Sequence, residues 1–282
     1  MSVLVFGKTG QVARELQALG DFTCLSRDEA DLTDPVSCAE AIRKHSPSGV
    51  INAAAYTAVD RAEDETTVAA RVNGEAPAAM AKACAELDIP FVHISTDYVF
   101  DGSGEKAWRP DQPTNPKNAY GLTKLIGEEA VREAGGRYAI LRTSWVFSSH
   151  GSNFVKSMLR LSEDREQLNI VADQVGGPTP ASDIAQACLN LVEQLANDAS
   201  KEGTYHFSGA PDVSWQEFAE TIFAQAGRDV TVKGIPTSEY PTPATRPLNS
   251  RLDCRSLEQT FGIARPDWRR GLEQVLNELE IW

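Results

Sequence analysis

A chain of 282 residues with 41% hydrophobic and 24% charged side chains holds enough apolar material for one large core or two interleaved ones. Its net charge of −13 argues against a nucleic-acid backbone or an anionic membrane as the main partner, and no apolar run reaches membrane-spanning length. The five cysteines (Cys24, Cys38, Cys84, Cys188, Cys254) are scattered without a Cys-x-x-Cys, and His45, His93, His150 and His206 form no ligand pair, so no disulfide framework or zinc site is expected.

Val3 to Phe6 reads as a short buried strand, with no signal peptide before it, which together with the reduced thiols implies a cytoplasmic protein. The turn Gly7-Lys8-Thr9-Gly10-Gln11-Val12-Ala13 follows, and then the helical pattern Val12, Leu16, Leu19. Strand, glycine turn and helix in this order form a pyrophosphate-binding signature: glycines admit the phosphates, and the helix N-terminus offers free N–H groups. Phe22 to Leu25 is the second strand, ending at Ser26-Arg27, where an NAD-binding fold usually carries an acidic residue. A guanidinium there suits a 2′-phosphate and favours NADPH, with NADH the alternative and a solvated surface charge the plain reading. Asp31-Leu32 opens the next turn, where it can meet an adenine ring.

Gly49 to Ala55 reads as a third buried strand running into Ala53, Ala54 and Ala55, whose small side chains leave room for a ligand. A long helix is expected from about Thr66 to Leu87, then a strand at Phe91–Ile94 that ends in Ser95-Thr96-Asp97-Tyr98. Tyr138 to Leu141 is a further strand, leading to Trp145. Beyond it a helix at Asn153–Leu161, a strand at Leu168–Val171, a loop at Asp173–Pro180, a helix from Ser182 to about Leu195 and a strand at Tyr205–Phe207 complete the alternation. Pro236, Pro241, Pro243 and Pro247 fall within twelve residues, so that tail must be extended rather than helical. Alternating strands and helices imply an α/β fold, a doubly wound parallel sheet. The expected division is 1–147 plus about 165–207 for dinucleotide binding, and about 148–164 plus 208–282 for a smaller interleaved substrate domain.

The chemistry centres on Tyr120-Gly121-Leu122-Thr123-Lys124. On a helix, Tyr120 and Lys124 lie one above the other, and an ammonium beside a phenol favours the phenolate, bringing a group that ordinarily titrates near 10 toward a useful range. Lys124 can also reach the hydroxyls of a bound ribose, and Thr96 can hold a substrate carbonyl in line with Tyr120. The four-residue spacing arises by chance too often to carry the assignment; the glycine turn and strand pattern ahead of it do.

The motifs Gly-Lys-Thr-Gly-Gln-Val at 7–12, Ser-Thr-Asp-Tyr-Val-Phe at 95–100, Tyr-Gly-Leu-Thr-Lys at 120–124, Arg-Thr-Ser-Trp-Val at 142–146 and Arg-Pro-Leu-Asn-Ser-Arg-Leu at 246–252 resemble the dTDP-4-dehydrorhamnose reductase family of extended short-chain dehydrogenases/reductases. The resemblance spans the chain in order. It implies NAD(P)H-dependent reduction of the C4 ketone of a dTDP-linked 4-ketosugar, with Tyr120, Lys124 and Thr96 catalytic. It places the cofactor against Gly10, Gln11, Val12, Asp31, Leu32, Ala55, Tyr56 and Thr57, to which the residue pattern itself adds Gly7, Arg27, Ala53 and Ala54. It places the sugar nucleotide against Thr96, Asp97 and Trp145, with Tyr98 and Asn153 further candidates and Arg246 and Asn249 suited to its diphosphate. Some members dimerise around a magnesium ion held by glutamates; Glu15 and Glu278 match, but the middle ligand falls near Ser182-Asp183, which leaves the metal, and monomer against homodimer, open. Reduction of another nucleotide-linked 4-ketosugar and a non-catalytic regulatory subunit are the competing readings; the intact Thr96, Tyr120 and Lys124 weigh against the second.

Overall fold

A computed structural model of the chain describes residues 2–281. In chain order its elements begin β1 (Val3–Phe6), α1 (Gln11–Leu19), β2 (Thr23–Leu25), α2 (Pro35–His45), β3 (Gly49–Asn52), α3 (Thr66–Ala70), α4 (Ala76–Glu86), β4 (Phe91–Thr96), α5 (Ala119–Ala134) and β5 (Tyr138–Thr143). They continue with β6 (Val146–Phe147), α6 (Phe154–Leu161), β7 (Gln167–Val171), β8 (Val175–Gly176), β9 (Thr179–Pro180), α7 (Ala181–Asn197), β10 (Gly203–His206), β11 (Val213–Ser214), α8 (Trp215–Gln225), β12 (Thr231–Ile235), β13 (Asn249–Ser250), α9 (Arg255–Phe261) and α10 (Trp268–Glu278).

Alternation of side chains along β1 sends Val3 and Val5 to one face of the sheet and Leu4 and Phe6 to the other. All four are buried, so both faces need a covering layer. Leu16 of α1, Ile184 to Leu195 of α7 and Leu257 and Phe261 of α9 cover the first face. Ile42 of α2, Met80 of α4 and Val131 of α5 cover the second. Between them run six parallel strands in the order β2-β1-β3-β4-β5-β10. This is the α/β doubly wound sheet that the hydrophobic pattern implies. The order reverses between β1 and β3, where Phe6 pairs with Asn52, and sheets of this kind take their ligands beyond the carboxyl ends of the strands at such a switch point.

A second core lies elsewhere, built from Val155 and Met158 of α6, Leu168 and Ile170 of β7, Phe218 and Ile222 of α8 and Trp268 and Leu272 of α10. Two elements depart from the expected division. β7 pairs with β12 rather than joining the six-stranded sheet, so residues 167–171 belong to the second core, while α7 and β10 stay with the main sheet. α9 packs on the main sheet, because Leu257 and Phe261 meet Tyr205 there.

Other expectations shift at their edges. The helix foreseen from Thr66 to Leu87 is α3 and α4 separated by a π turn at Arg71–Glu75. Pro77 has no N–H to give to the carbonyl four residues back, so the α ladder is interrupted there. β3 stops at Asn52, before the three alanines. The proline-rich tail is extended apart from one 3₁₀ turn at Thr237–Glu239. α2, α8, β12, α9 and α10 have no counterpart in the sequence reading. The cues were present: Asp34 caps α2 by accepting from the Ser37 N–H with Pro35 behind it, and Ser214 and Glu217 form a capping box on α8.

Candidate active site

The switch point is bounded first by the glycine turn. Gly7 has φ +108°, a conformation costly for any residue with a Cβ, and donates its N–H to the Leu25 carbonyl. Gly10 precedes α1 without a side-chain cap, which leaves the first-turn N–H groups available to an anion. Ala53, Ala54 and Ala55 leave β3 half-buried beside it. Val12 and Leu32 are buried in opposite cores, so they shape the switch point from behind. Tyr56 donates its N–H to Asn73 Oδ1 and its hydroxyl to Glu65, while Thr57 is exposed. Asn73, which sequence reasoning missed, also donates to the Tyr56 carbonyl and to Thr123 Oγ1, clamping the β3 loop onto α5 from the π turn. Arg27 projects from the end of β2 with its side chain 78% exposed, and its Nε reaches Asp31 Oδ2 at 3.2 Å.

Thr96 ends β4, and Tyr120 stands in the first turn of α5, which Asn118 caps by accepting from the Gly121 N–H. Thr96 Oγ1 donates to Asp97 Oδ1 at 3.1 Å and accepts from the Tyr98 N–H, and the Tyr98 ring meets that of Tyr120 edge-on at 5.6 Å. Burial pushes the Tyr120 phenol up to about 12; the Thr96 hydroxyl pulls it back in part, and Asp97 pushes it further. Burial likewise raises Asp97 to about 6, against Ser250, Thr96 and its own backbone. Its Oδ2 is buried with no partner.

Here an expectation fails. Lys124 does not lower the phenol, because its ammonium end is turned beneath β4, donating to the Ile94 carbonyl at 2.7 Å and lying 3.2 Å from His93 Nε2. A fully enclosed amine must find polar partners, and these are the ones within reach. Burial lowers Lys124 to about 8, with Glu128 opposing. The phenol therefore stays protonated, which is the form that gives a proton away.

A second buried polar cluster lies alongside. Glu128 and Arg142 are almost wholly enclosed and joined twice, Nη2 to Oε2 at 2.6 Å and Nε to Oε1 at 2.9 Å. Ser95 and Arg132 complete the carboxylate's shell. Burial alone would raise Glu128, but the hydrogen bonds and charge of Arg142, with Ser95 and Arg132, hold it below the usual carboxylate range. Arg142 also faces His206 Nε2, and His206 Nδ1 lies 2.9 Å from the Trp108 carbonyl.

On the opposite wall, Trp145 follows β5 with φ +49°, an uncommon value for a bulky residue. Its indole stacks on that of Trp215 at 3.6 Å and 11°, and Gly176 sits directly against it, where a Cβ would stand 3.0 Å from the ring. Trp215, which sequence reasoning also missed, donates its indole N–H to Gln174. Arg246 arrives on the proline-rich tail, which Asn118 ties down through the Thr245 carbonyl. Its Nη2 pairs with Asp60, while its buried Nη1 has no partner.

The two asparagines expected at the sugar nucleotide are engaged elsewhere. Asn153 caps α6 by accepting from the Lys156 N–H and donates to Gln11 and to the Ser148 and His150 carbonyls. Gln11 in turn accepts from Ser148, so this pair joins the glycine turn to the second core. Asn249 donates to the Ser103 and Lys106 carbonyls and accepts from Arg251, which fixes the loop before α5. Every polar atom of both side chains thus has a protein partner.

Glu15 and Glu278 do approach one another: burial, then the Glu278 charge, raises Glu15. Ser149 donates to Glu278 and His150 lies 3.7 Å from Glu15. Among the described residues, no three His, Cys, Asp or Glu side chains converge as a metal ion would require, and Asp183 does not join the pair. All five cysteines are free thiols, and no helix of the described residues is long and apolar enough to cross a membrane.

Comparison with known proteins agrees with this geometry. The chain matches the sequence profile of the RmlD substrate binding domain over residues 1–281. A dTDP-4-dehydrorhamnose reductase of Burkholderia thailandensis is 44% identical, over 99% of this chain and 99% of that one. The crystal structure of a dTDP-4-dehydrorhamnose reductase of Clostridium acetobutylicum superposes with a TM-score of 0.93 at 35% identity, covering 99% of this chain and all of the other. That of the Bacillus anthracis dTDP-4-dehydrorhamnose reductase in complex with NADP gives 0.91 at 34% identity, with the same coverage. A glycine turn at a switch point, a protonated tyrosine beside Thr96 and full-length similarity of this degree leave one conclusion: the chain belongs to the dTDP-4-dehydrorhamnose reductases, a family of nicotinamide-dependent oxidoreductases.

Proposed function

We propose that this chain reduces the C4 ketone of dTDP-4-dehydro-6-deoxy-L-mannose to give dTDP-L-rhamnose, in the cytoplasm and with NADPH as the preferred donor. The single observation that supports the reading is a protonated Tyr120 beside Thr96 at the carboxyl end of β4, the strand next to β3. The residues present fit a dinucleotide: free N–H groups at α1, small side chains after β3 and an outward-facing Arg27. The nicotinamide, when bound, supplies the hydride. Tyr120 gives its proton to the oxygen that becomes the C4 hydroxyl, and Thr96 holds that oxygen by hydrogen bonding. Asp97 and Tyr98 shape the sugar pocket around them. Trp145 is assigned to the sugar face and Arg246, through its unpartnered Nη1, to the diphosphate. This is how an acidic protein accommodates an anionic substrate: by one local cation rather than by its overall field. Asn153 and Asn249 support the walls instead of touching the ligand. The test is purified protein with the dTDP-4-ketosugar, following NADPH oxidation by absorbance; a UDP-linked or differently configured 4-ketosugar turned over faster would replace the reading.

A further inference from the structure

Beneath Lys124 runs a row of buried groups whose hydrogen bonds have only one consistent arrangement. Asn52 and His93 come from adjacent strands and are 1% and 0% exposed. The Asn52 carboxamide is oriented by the backbone: its Oδ1 accepts from the Ala54 N–H at 3.2 Å. Turning it over would set an NH₂ against that N–H. Its Nδ2 therefore donates, and the atom it faces at 3.1 Å is His93 Nδ1. A neutral imidazole carries one proton, so with Nδ1 accepting, the proton is on Nε2. That N–H points at Lys124 Nζ, 3.2 Å away, which in turn donates to the Ile94 carbonyl at 2.7 Å. An ammonium has three donors and no lone pair, and cannot accept from it.

We infer that Asn52 and His93 are positioning residues that hold Lys124 as a neutral amine in the cofactor-free chain at mildly alkaline pH, and that cofactor binding there draws one proton from solvent onto Nζ as the amine leaves His93. The inference rests on the reading of Lys124 as the cofactor-facing lysine and adds to it a protonation step. The groups that face the amine are few. His93 does so from β4, and burial keeps it neutral. Glu128 does so from the same helix, but its carboxylate is already taken by Arg142 of β5, by Arg132 and by Ser95 of β4. β3 offers only the uncharged Asn52, and Tyr120 responds to Asp97 and Thr96. Burial acts in the same direction as the hydrogen-bond pattern.

Asn52→Asp separates this from a merely structural role. A carboxylate keeps the bond to the Ala54 N–H but accepts at Nδ1, moving the imidazole proton there and turning Nε2 into an acceptor for a charged Lys124. In cofactor-free protein, nitrogen NMR of His93 should show the Nε2–H tautomer, and the Lys124 ε-carbon should titrate at least about one pH unit lower than in Asn52→Asp. Calorimetry of NADPH binding near pH 9, in buffers of different ionisation heat, should show uptake of about one proton by the wild type and clearly less by the variant. NADPH affinity of the wild type should weaken as pH rises above the free-chain midpoint. An Nδ1–H tautomer in the wild type, or equal proton uptake by both proteins, overturns the inference; the tautomer is read without the variant, should Asn52→Asp fold poorly. None of these measurements uses the sugar nucleotide, so failure of the proposed reaction would be seen separately, in turnover.

Discussion

Two buried polar clusters sit side by side under the carboxyl ends of β4 and β5, and they are built on opposite principles. In one, Glu128 is held by Arg142, Arg132 and Ser95, so its charge is compensated and every lone pair is used. In the other, Lys124 has an imidazole and a carbonyl for company, and no carboxylate of its own. The contrast extends to the histidines. His206 gives its Nδ1 proton to the Trp108 carbonyl and accepts from Arg142, and burial followed by the Arg142 charge keeps it neutral, down to about 3. His93 has the reverse tautomer. A compensated cluster locks β5, β10 and the loop at 108–110 together; an uncompensated one keeps a titratable group ready to change state.

The largest expected effect falls on the reactive side. Tyr120→Phe should lower turnover by about 10²–10⁴ while NADPH binding and the melting temperature are kept, as steady-state kinetics and thermal melts would report. A loss under tenfold would remove Tyr120 as proton donor. On the compensated side the pattern should invert. Glu128→Gln leaves Arg142 buried without its carboxylate and should cost about 3–5 kcal/mol in urea unfolding, with the Michaelis constants of the surviving folded protein little changed.

Lys124 connects the two effects through pH. Its folded value lies below its unfolded one, so below about 8 the proton destabilises the fold, and that penalty is relieved as pH rises toward 10.5. Lys124→Met should abolish turnover yet remove this rise, a difference of up to about 3 kcal/mol between wild type and variant across the window. Parallel stability curves for the two proteins would show that the amine is not held at a lowered value.

Smaller effects sharpen the comparison at its margins. Trp215→Ala removes the stacking partner of Trp145 and should raise the Michaelis constant for the sugar nucleotide by no more than about tenfold, leaving NADPH affinity unchanged. Arg27 is the exposed counterpart of the buried arginines. Arg27→Ala should lower the ratio of NADPH to NADH affinity by about tenfold, and the preference should shrink with salt. Equal use of both cofactors by the wild type would leave Arg27 a surface charge paired with Asp31.

Much of this was legible in the chain itself. The run Val3–Phe6, the turn from Gly7 to Ala13 and the step from Ile94 to Thr96 are local patterns, and local patterns determine strands, turns and helix starts. The Tyr120–Lys124 spacing with Thr96 upstream, and then the family resemblance for the C4-ketone reaction, were read without any tertiary contact. α8 and α2 were missed although their caps are local too, because Ser214–Glu217 and Asp34-Pro35 precede weakly periodic stretches.

What only the tertiary structure decided is where each polar atom spends its hydrogen bonds. Asn153 and Asn249 have the same side chain and equal claims on the ligand in sequence, but one closes on Gln11 and the other on the 103–106 loop, while Arg246 keeps an Nη1 unpartnered. Lys124 lies on the expected helix face, yet its end is claimed by β4 rather than by Tyr120. The direction of the Asn52 amide, and through it the proton on His93, depends on one backbone N–H two residues away and an imidazole forty-one residues on. A donor must find an acceptor wherever the fold brings one, and that partner is almost never the sequence neighbour.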